Sequence, residues 1–356
     1  MIDAETIDVE LLGAAGRRCG PSSPRRRPAC SADIKPRVIQ SLIGLACACI
    51  FLALALYRAP LGAVGAVLAH TSPIWLGAAM LAYAVNLALR AWRWQMILRP
   101  VAAVPYGAVA RVLVAGYGLN TIMPLRLGEL FRAEFFKRTY GLPRVQGLTS
   151  IVVERLFDGL AVVACLGAGL MLAGGTRHPA DALIDVLGAG SALFGALLLL
   201  ALGLGGSRMS RLFAGFPRLD GPMTAIRQGL AILRTWRVLP VAVLTLVIYL
   251  PDALSLWCIV KAVGLQLGPA DTLVLVGAAS LSTLLPSGPA FLGTLQFAYA
   301  LALEFAGAQA AIGIAAATLA QFFLLLPVAI AAIAILLHGS GSILRMALFR
   351  REFEPT

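Results

Sequence analysis

The stretch GYGLNTIMPLRLGELFR, residues 116–132, interrupts an apolar segment with polar and helix-breaking residues. It contains Asn120, Pro124, Arg126, Glu129 and Arg132, and the charged members of this set are costly to place in lipid. Backbone that leaves helical geometry at membrane depth is tolerated only where it is buried in protein or lines water. If the rest of the chain lies in a membrane, the stretch therefore predicts a broken helix beside a polar cavity.

The composition does place the chain in a membrane. Of its 356 residues, 60% are hydrophobic and 13% are charged, and the mean hydropathy is +0.87, well outside the usage of soluble domains. Apolar runs of about 17–25 residues, the length that crosses a bilayer as a helix, recur along it. The sequence thus predicts an all-α integral membrane protein. The six predicted transmembrane helices cover about 38–57, 74–91, 147–173, 183–204, 239–260 and 310–337.

Two further apolar stretches, 108–136 and 270–306, are broken near their middles. If both crossed the membrane fully, an arginine-rich linker at 205–238 would lie outside, against the positive-inside rule. We therefore predict two re-entrant hairpins that enter from opposite sides. The breaking residues are Pro124 and Gly128 in the first stretch and Pro286, Gly288, Pro289 and Gly293 in the second.

The same charge pattern divides the chain into predicted parts. The first residues are rich in Pro, Ser and Arg and lack periodicity, as a disordered tail does. The protein is expected to be a multi-pass protein of the plasma (inner) membrane with both termini in the cytoplasm. The parts are a tail at 1–36, a transmembrane domain at 37–340 with halves at about 37–175 and 180–340, an interfacial linker at about 205–238, and a tail at 341–356.

The two broken stretches resemble each other. LNTIMPLRLGELFRAEF (119–135) aligns with LSTLLPSGPAFLGTLQF (281–297), which places Asn120 opposite Ser282. Asn86 and Asp252 lie at similar offsets in the preceding spans. Three crossings per half make the halves opposite in orientation, and inverted repeats with paired broken helices point to a transporter site near the midplane. The alternative is two independent proline-kinked helices.

The charges after Pro124 suggest an anion site. Arg126, Glu129 and Arg132 are spaced by three, so they share one face of a half-helix. Two arginines around one carboxylate leave net positive charge, and guanidinium groups bind phosphate bidentately. The start of the half-helix adds backbone donors. The alternative is that these charges only satisfy one another.

Two neighbouring spans carry further charges. In SIVVERLFDG, Glu154, Arg155 and Asp158 lie inside the membrane, where charge is functional by default, and Glu154 can neutralise Arg126 or Arg132. Alternatively, this group is an ion pair that locks helix packing. The Trp and Arg residues in NLALRAWRWQMILRP (86–100) are predicted to be interface anchors, with Arg90 the deepest. The predicted substrate-binding residues are Arg90, Asn120, Arg126, Glu129, Arg132, Glu154, Arg155, Asp158, Ser282 and Gln296.

Three motifs resemble those of the lysylphosphatidylglycerol synthase transmembrane, or flippase-like, family. They are GLNTIMPLRLGELFRAEFFKR (118–138), SIVVERLFDG (150–159) and LPSGPAFLGTLQFAYAL (285–301), and the resemblance extends over about 38–340. It implies lipid movement between leaflets. Because the chain ends at Thr356 without a further domain, the resemblance implies no aminoacyltransferase activity. Gln296 departs from the family pattern, in which many members carry Glu.

We therefore expect a flippase-like transporter of an anionic or glycosylated lipid, whose headgroup lies in a cationic cleft between the broken helices. The alternatives are a membrane enzyme or a scaffold of a lipid, hopanoid or polyprenyl-linked glycan pathway. An enzyme would need a nucleophile, a general base or a metal cluster. The His and Cys residues show no such spacing, so we expect no cofactor, no metal and no catalysis. The excess of 29 Lys and Arg over 17 Asp and Glu flanks the apolar runs, which indicates lipid headgroups rather than nucleic acid.

Overall fold

The computed structural model describes residues 61–123, 127–173, 180–204, 217–283 and 289–338. All regular secondary structure in these ranges is helical, which confirms the predicted all-α class. The first predicted span, both tails, Pro124, Arg126, Pro286 and Gly288 lie outside the described residues. The described helices are α1 (Leu61–Ala69), α2 (Pro73–Leu98), α3 (Tyr106–Ile122), α4 (Leu127–Tyr140), α5 (Arg144–Leu172), α6 (Ala180–Leu204), α7 (Pro217–Leu230), α8 (Val238–Ala262), α9 (Pro269–Ser282), α10 (Thr294–Phe305), α11 (Ala310–Ala320) and α12 (Leu326–His338).

Within the described ranges, four helical stretches are long and apolar enough to cross a membrane. They are Pro73–Leu98, Asp181–Gly203, Val238–Ala262 and Ala310–Leu337, which correspond to four of the six predicted spans. Helix α5 covers the predicted span at 147–173 and has 29 residues, but it is not among the four. The exact number of crossings therefore stays a prediction.

Helix α2 is longer than its apolar run predicts, since it continues to Leu98. Its last two turns carry Arg93 and Trp94, both of which are fully buried. The prediction that these two residues anchor the helix at the lipid interface is therefore wrong. The reason is that polar partners on α5 and α8 accept hydrogen bonds from the Arg93 Nη1 and Trp94 Nε1 atoms, a context that a single helix sequence does not reveal. Trp92 differs from them, because it is 48% exposed.

Each interrupted stretch forms two helical arms that pack against each other. The first stretch gives α3 and α4, and the second gives α9 and α10. Gly128, predicted as part of the break, lies in the first turn of α4 against the Gly116 carbonyl of α3. Its N–H donates to the Asn120 Oδ1 atom at 2.8 Å. A Cβ atom at residue 128 would collide with that carbonyl, so the close approach of the arms requires glycine.

The arms also pack across the two halves of the chain. The first arm α3 packs against α12, and the first arm α9 packs against α5, while α2 packs along α8. Gly118 lies at the α3–α12 crossing, and Gly277 and Gly169 lie at the α9–α5 crossing. Small residues at such crossings allow the helix backbones to approach closely. Each hairpin is thereby fixed to the final helix of the other half.

A polar layer lies between two apolar clusters. Along α2, the residues Leu76 and Ala79 belong to one cluster, whereas Ala91 and Ile97 belong to the other. Helices α5 and α8 also contribute to both clusters, so all three run through the two apolar regions. Charged residues, among them Arg90, Asp158 and Asp252, lie near the points where α2, α5 and α8 pass from one cluster to the other. The core therefore places its charges at one level, which is where the candidate site lies.

Candidate functional site

A cavity of about 210 Å³ lies in this polar layer. Residues from α2, α3, α4, α5, α8, α9, α10, α11, α12, the 289–291 turn and the 321–325 segment line it, so both interrupted stretches border the same space. The charged residues of the lining come from α2, α4, α5 and α8. They are Arg90, Glu129, Arg155, Asp158 and Asp252. The lining also contains apolar residues, which include Leu256, Leu295, Leu324, Leu325 and Val328.

Arg90 connects α2 with α5 and α8. Its Nε donates to the Asn86 Oδ1 atom at 2.8 Å, and its Nη1 donates to the Asp158 Oδ2 atom at 3.1 Å. Its Nη2 lies 3.9 Å from the Asp252 Oδ2 atom. Asn86 in turn donates to the Ile248 carbonyl of α8 at 3.0 Å. The guanidinium group is therefore shared by two carboxylates at the α2–α8 contact.

Arg93 bonds the Asp158 carboxylate from the buried side, away from the cavity. Its Nη1 donates to the Asp158 Oδ1 atom at 2.7 Å and to the Thr245 Oγ1 atom at 3.1 Å. Its Nη2 lies 3.8 Å from the Glu154 Oε1 atom. Because Arg93 is fully buried and does not line the cavity, it orients Asp158 rather than meeting a ligand.

Glu154 and Arg132 form a fully buried ion pair behind the cavity wall. The Arg132 Nη2 atom donates to Glu154 Oε2 at 2.5 Å, and the Tyr117 hydroxyl donates to Glu154 Oε1 at 2.9 Å. The Arg132 guanidinium also lies 3.7 Å from the centre of the Trp94 ring. The pair joins α4 to α5, and the stacked indole removes the guanidinium from solvent.

Arg155 is held more loosely than the other arginines of the cluster. Its Nε lies 3.2 Å from the Glu129 Oε1 atom without a well-directed hydrogen bond. Its Nη2 and Nη1 atoms lie 3.8 Å from carboxylate oxygens of Glu154 and Asp158, respectively. The side chain is 28% exposed and lines the cavity. Arg155 therefore presents a guanidinium group that an entering molecule can reach.

The charges of the described cluster balance. Four arginines face four carboxylates, and on the cavity wall itself two arginines face three carboxylates. The sequence predicted a cationic cleft, but the described residues do not supply net positive charge. Arg126, the remaining arginine of that prediction, lies outside them. The members are Arg90, Arg93, Arg132, Arg155, Glu129, Glu154, Asp158 and Asp252.

The structure separates the predicted site residues into two groups. Those that line the cavity are Arg90, Asn120, Glu129, Arg155 and Asp158. Those that are buried away from it are Arg132, Glu154, Ser282 and Gln296. The Ser282 hydroxyl donates to the Ala279 carbonyl within its own helix, at 2.7 Å. Ser282 therefore caps helical backbone rather than facing the cavity.

Gln296 stabilises the turn of the second hairpin. Its Oε1 accepts from the Gly293 N–H at 2.8 Å, and its Nε2 donates to the Gln321 Oε1 atom at 2.7 Å. Gln321 donates in turn to the Ala290 carbonyl at 2.9 Å. Ala290 has a φ of 54°, a left-handed conformation that is strained for alanine. The two amides thus hold a strained turn that includes Pro289, and Gly293, at φ 84°, directly precedes α10.

Sequence reasoning missed several cavity residues. Asp252 was noted only as a counterpart of Asn86, although a carboxylate beside Pro251 inside an apolar span was a usable signal. Tyr117 and Tyr249 carried no signal, because tyrosines in apolar helices are common. Among the residues described, no group of three or more His, Cys, Asp or Glu is arranged to hold a metal ion.

The molecule is a multi-pass, all-α membrane protein with a charged cavity that two interrupted helical hairpins border. It belongs to the family described as the lysylphosphatidylglycerol synthase TM region, whose model matches residues 41–332. It is also similar to the glycosyltransferase AglD of Haloferax volcanii, with 30% identity over 166 residues. That match covers 44% of this chain and 26% of the relative, so the chain matches about a quarter of that protein's length. The family resemblance of the sequence motifs is thereby confirmed.

Proposed function

We propose that the protein is a flippase-like transporter that moves a lipid between leaflets, with the headgroup in the cavity. The observation that carries the proposal is the cavity itself, a charged space inside an apolar helical protein that both interrupted hairpins border. Charged groups at membrane depth are costly, and they mark functional sites such as substrate pathways and proton relays. Membership of the family also supports a lipid-related role.

The mixed lining of the cavity matches the two parts of a lipid. The charged residues offer both donors and acceptors to a headgroup, and aromatic rings such as Tyr117 and Tyr249 offer faces on which a sugar can stack. The apolar lining residues Leu256, Leu295 and Val328 suit the start of an acyl or polyprenyl chain. A purely soluble ligand would not need these apolar residues.

Arg155 is the proposed headgroup contact. Its nearest anion is Glu129 at 3.2 Å, and the carboxylates of Glu154 and Asp158 are both 3.8 Å away. A phosphate can take the place of Glu129 and bind the guanidinium through two parallel hydrogen bonds. Arg90 is less available, because it already donates to Asn86 and Asp158. An anionic lipid, or a glycosylated lipid linked through phosphate, fits this contact.

The exchange of packing partners supports an inverted repeat. The contact of α3 with α12 and that of α9 with α5 are equivalent when the two halves are superposed in sequence order. An in-plane pseudo-twofold axis produces such reciprocal pairs. The repeat would give the hairpins entry from opposite sides, which is the arrangement that alternating access requires.

A proteoliposome assay tests this function. Purified protein is reconstituted with fluorescent phosphatidylglycerol, and its leaflet exchange is followed by quenching of the outer leaflet. In Arg155→Gln, the loss of the proposed charged hydrogen bonds to the lipid phosphate costs about 1.5–3 kcal/mol, so exchange is expected to slow about tenfold to a hundredfold. Arg111→Gln is the matched control, because Arg111 is exposed on α3 and bonds only its own helix among the described residues.

Two results would contradict the proposal. The first is exchange in wild-type vesicles no faster than in empty vesicles with fluorescent phosphatidylglycerol, phosphatidylethanolamine and a polyprenyl-phosphate sugar alike. The second is an Arg155→Gln rate equal to that of wild type. Either would favour a role as an enzyme or a scaffold in a lipid or polyprenyl-linked pathway. Thermal unfolding of each variant in detergent shows whether a lost rate reflects lost folding.

A further inference from the structure

Asp252 is the carboxylate that the cluster compensates least. Each of the other three lies within 3.2 Å of an arginine nitrogen, namely Glu129 at 3.2 Å, Asp158 at 2.7 Å and Glu154 at 2.5 Å. The nearest cation to Asp252 among the described residues is Arg90, at 3.9 Å. Within the same residues the Asp252 carboxylate accepts no hydrogen bond. Its charge is therefore poorly stabilised in a membrane interior.

The surroundings of Asp252 provide one cation, one further carboxylate and several weakly acidic groups. Asp252 lines the cavity, and its side chain is 13% exposed. A carboxyl group in such surroundings is more costly to keep ionised than in water. The titratable and charged groups that face it are Arg90 and Tyr83 from α2, Asp158 and Cys165 from α5, Tyr249 from α8 and Tyr299 from α10.

The charge of Asp252 determines whether Arg90 on α2 is attracted to α8. With Asp252 ionised, the guanidinium lies between Asp158 on α5 and Asp252 on α8. With Asp252 neutral, the attraction toward α8 disappears, and Arg90 is left to Asp158 and Asn86. Because α2 and α8 come from different halves of the chain and pack along each other, the state of Asp252 acts at the contact between the halves.

We propose that Asp252 is a proton-binding site that couples lipid movement to a proton gradient. A proton from cavity water forms an O–H bond with a carboxylate oxygen of Asp252, and Arg90 turns fully to Asp158. Later in the cycle that O–H bond breaks, water on the other side takes the proton, and the Arg90–Asp252 attraction returns. One proton crosses the membrane per cycle. This inference rests on the proposed lipid transport.

The test measures the leaflet distribution at equilibrium. Vesicles with fluorescent phosphatidylglycerol carry a pH gradient of one unit, and valinomycin with equal potassium holds the membrane potential at zero. One coupled proton is worth about 1.4 kcal/mol per pH unit, which corresponds to about a tenfold change in the ratio of labelled lipid between leaflets. Wild type is expected to show this change. Asp252→Asn is expected to leave the ratio the same with and without the gradient.

The controls distinguish the two proposals. Asp181→Asn, an exposed carboxylate at the start of α6, is expected to keep the wild-type shift. Asp252→Glu is expected to restore it, since it returns a proton-binding group. A wild-type protein that exchanges lipid but ignores the gradient would overturn the proton site and leave lipid transport intact, as would an Asp252→Asn variant that still responds. A wild-type protein that exchanges no lipid would overturn the transport proposal as well.

Discussion

Replacing Arg132 by methionine should lower the free energy of unfolding far more than any substitution of an exposed residue on the same helix. Arg132 and Glu154 are fully buried and joined at 2.5 Å, and the guanidinium lies 3.7 Å from the Trp94 ring centre. Removing one partner of a buried ion pair costs about 3–5 kcal/mol, and a desolvated cation–π contact contributes about 2 kcal/mol. Arg132→Met should therefore cost about 5–7 kcal/mol, a large share of the usual stability of a folded domain.

The pair can be isolated with a double-mutant cycle. Glu154→Gln removes the charge and keeps an acceptor for the Tyr117 hydroxyl, so it should cost about 3 kcal/mol. Each single substitution already breaks the ion pair, so the double variant should be destabilised by about 3 kcal/mol less than the sum of the two single variants. Equilibrium unfolding by SDS titration in mixed micelles, followed by tryptophan fluorescence, measures the three free energies.

A matched control lies on the same helix. Arg138 pairs with Glu134 at 2.7 Å, but its side chain is 42% exposed, so Arg138→Met should cost less than about 1 kcal/mol. If Arg132→Met does not fold, Arg132→Lys keeps the charge and loses the planar stack, and its smaller cost remains measurable. Additive costs for the Arg132 and Glu154 variants, or equal costs for Arg132→Met and Arg138→Met, would refute the reasoning.

Two other changes test the packing and the surface charges. Gly128→Ala places a methyl group against a carbonyl of the facing arm α3, so it should lower the unfolding temperature in detergent, whereas Gly77→Ala meets nothing within 4 Å and should leave it unchanged. Burial alone would raise the pKa of Glu134, but hydrogen bonds from Arg144 and Arg138 hold this pKa below 4.5. This contribution to stability is present at neutral pH and is lost as pH falls below 4.5, so wild type and Glu134→Gln should differ in unfolding temperature at pH 7 and converge in acid.

The helices were largely predictable because apolar runs of membrane length leave few alternatives. The predicted break near Pro124 separates α3 from α4, as the sequence indicated, since polar residues and a proline interrupt the run there. The length of α2 was not predictable in the same way. Its final turns carry Arg93 and Trp94, which look the same in sequence whether they meet lipid headgroups or a buried carboxylate.

The site was predictable residue by residue only where spacing along one helix decided the outcome. The spacing of Glu129 and Arg132 put both on the side of α4 that meets α5, where they pair with Arg155 and Glu154. The balance of charge depended instead on Arg90 and Asp252, which meet only after α2 packs against α8. No local sequence pattern encodes this contact between helices. The sequence therefore predicted a cationic cleft, whereas the charges of the described cluster sum to zero.

The order in which these charges leave the ribosome has a consequence for membrane insertion. Arg93 is made 65 residues before Asp158, the carboxylate to which it is bonded, and Asp252 follows much later. An arginine at the centre of an isolated helix raises the cost of insertion by about 2.5–3.5 kcal/mol, and one nearer the end, such as Arg93, raises it by less. Helix α2 should therefore remain at the translocon, or be held by an insertase, until α5 arrives. The helices of the first half are therefore expected to enter the bilayer together, once α2 and α5 have paired, rather than one helix at a time.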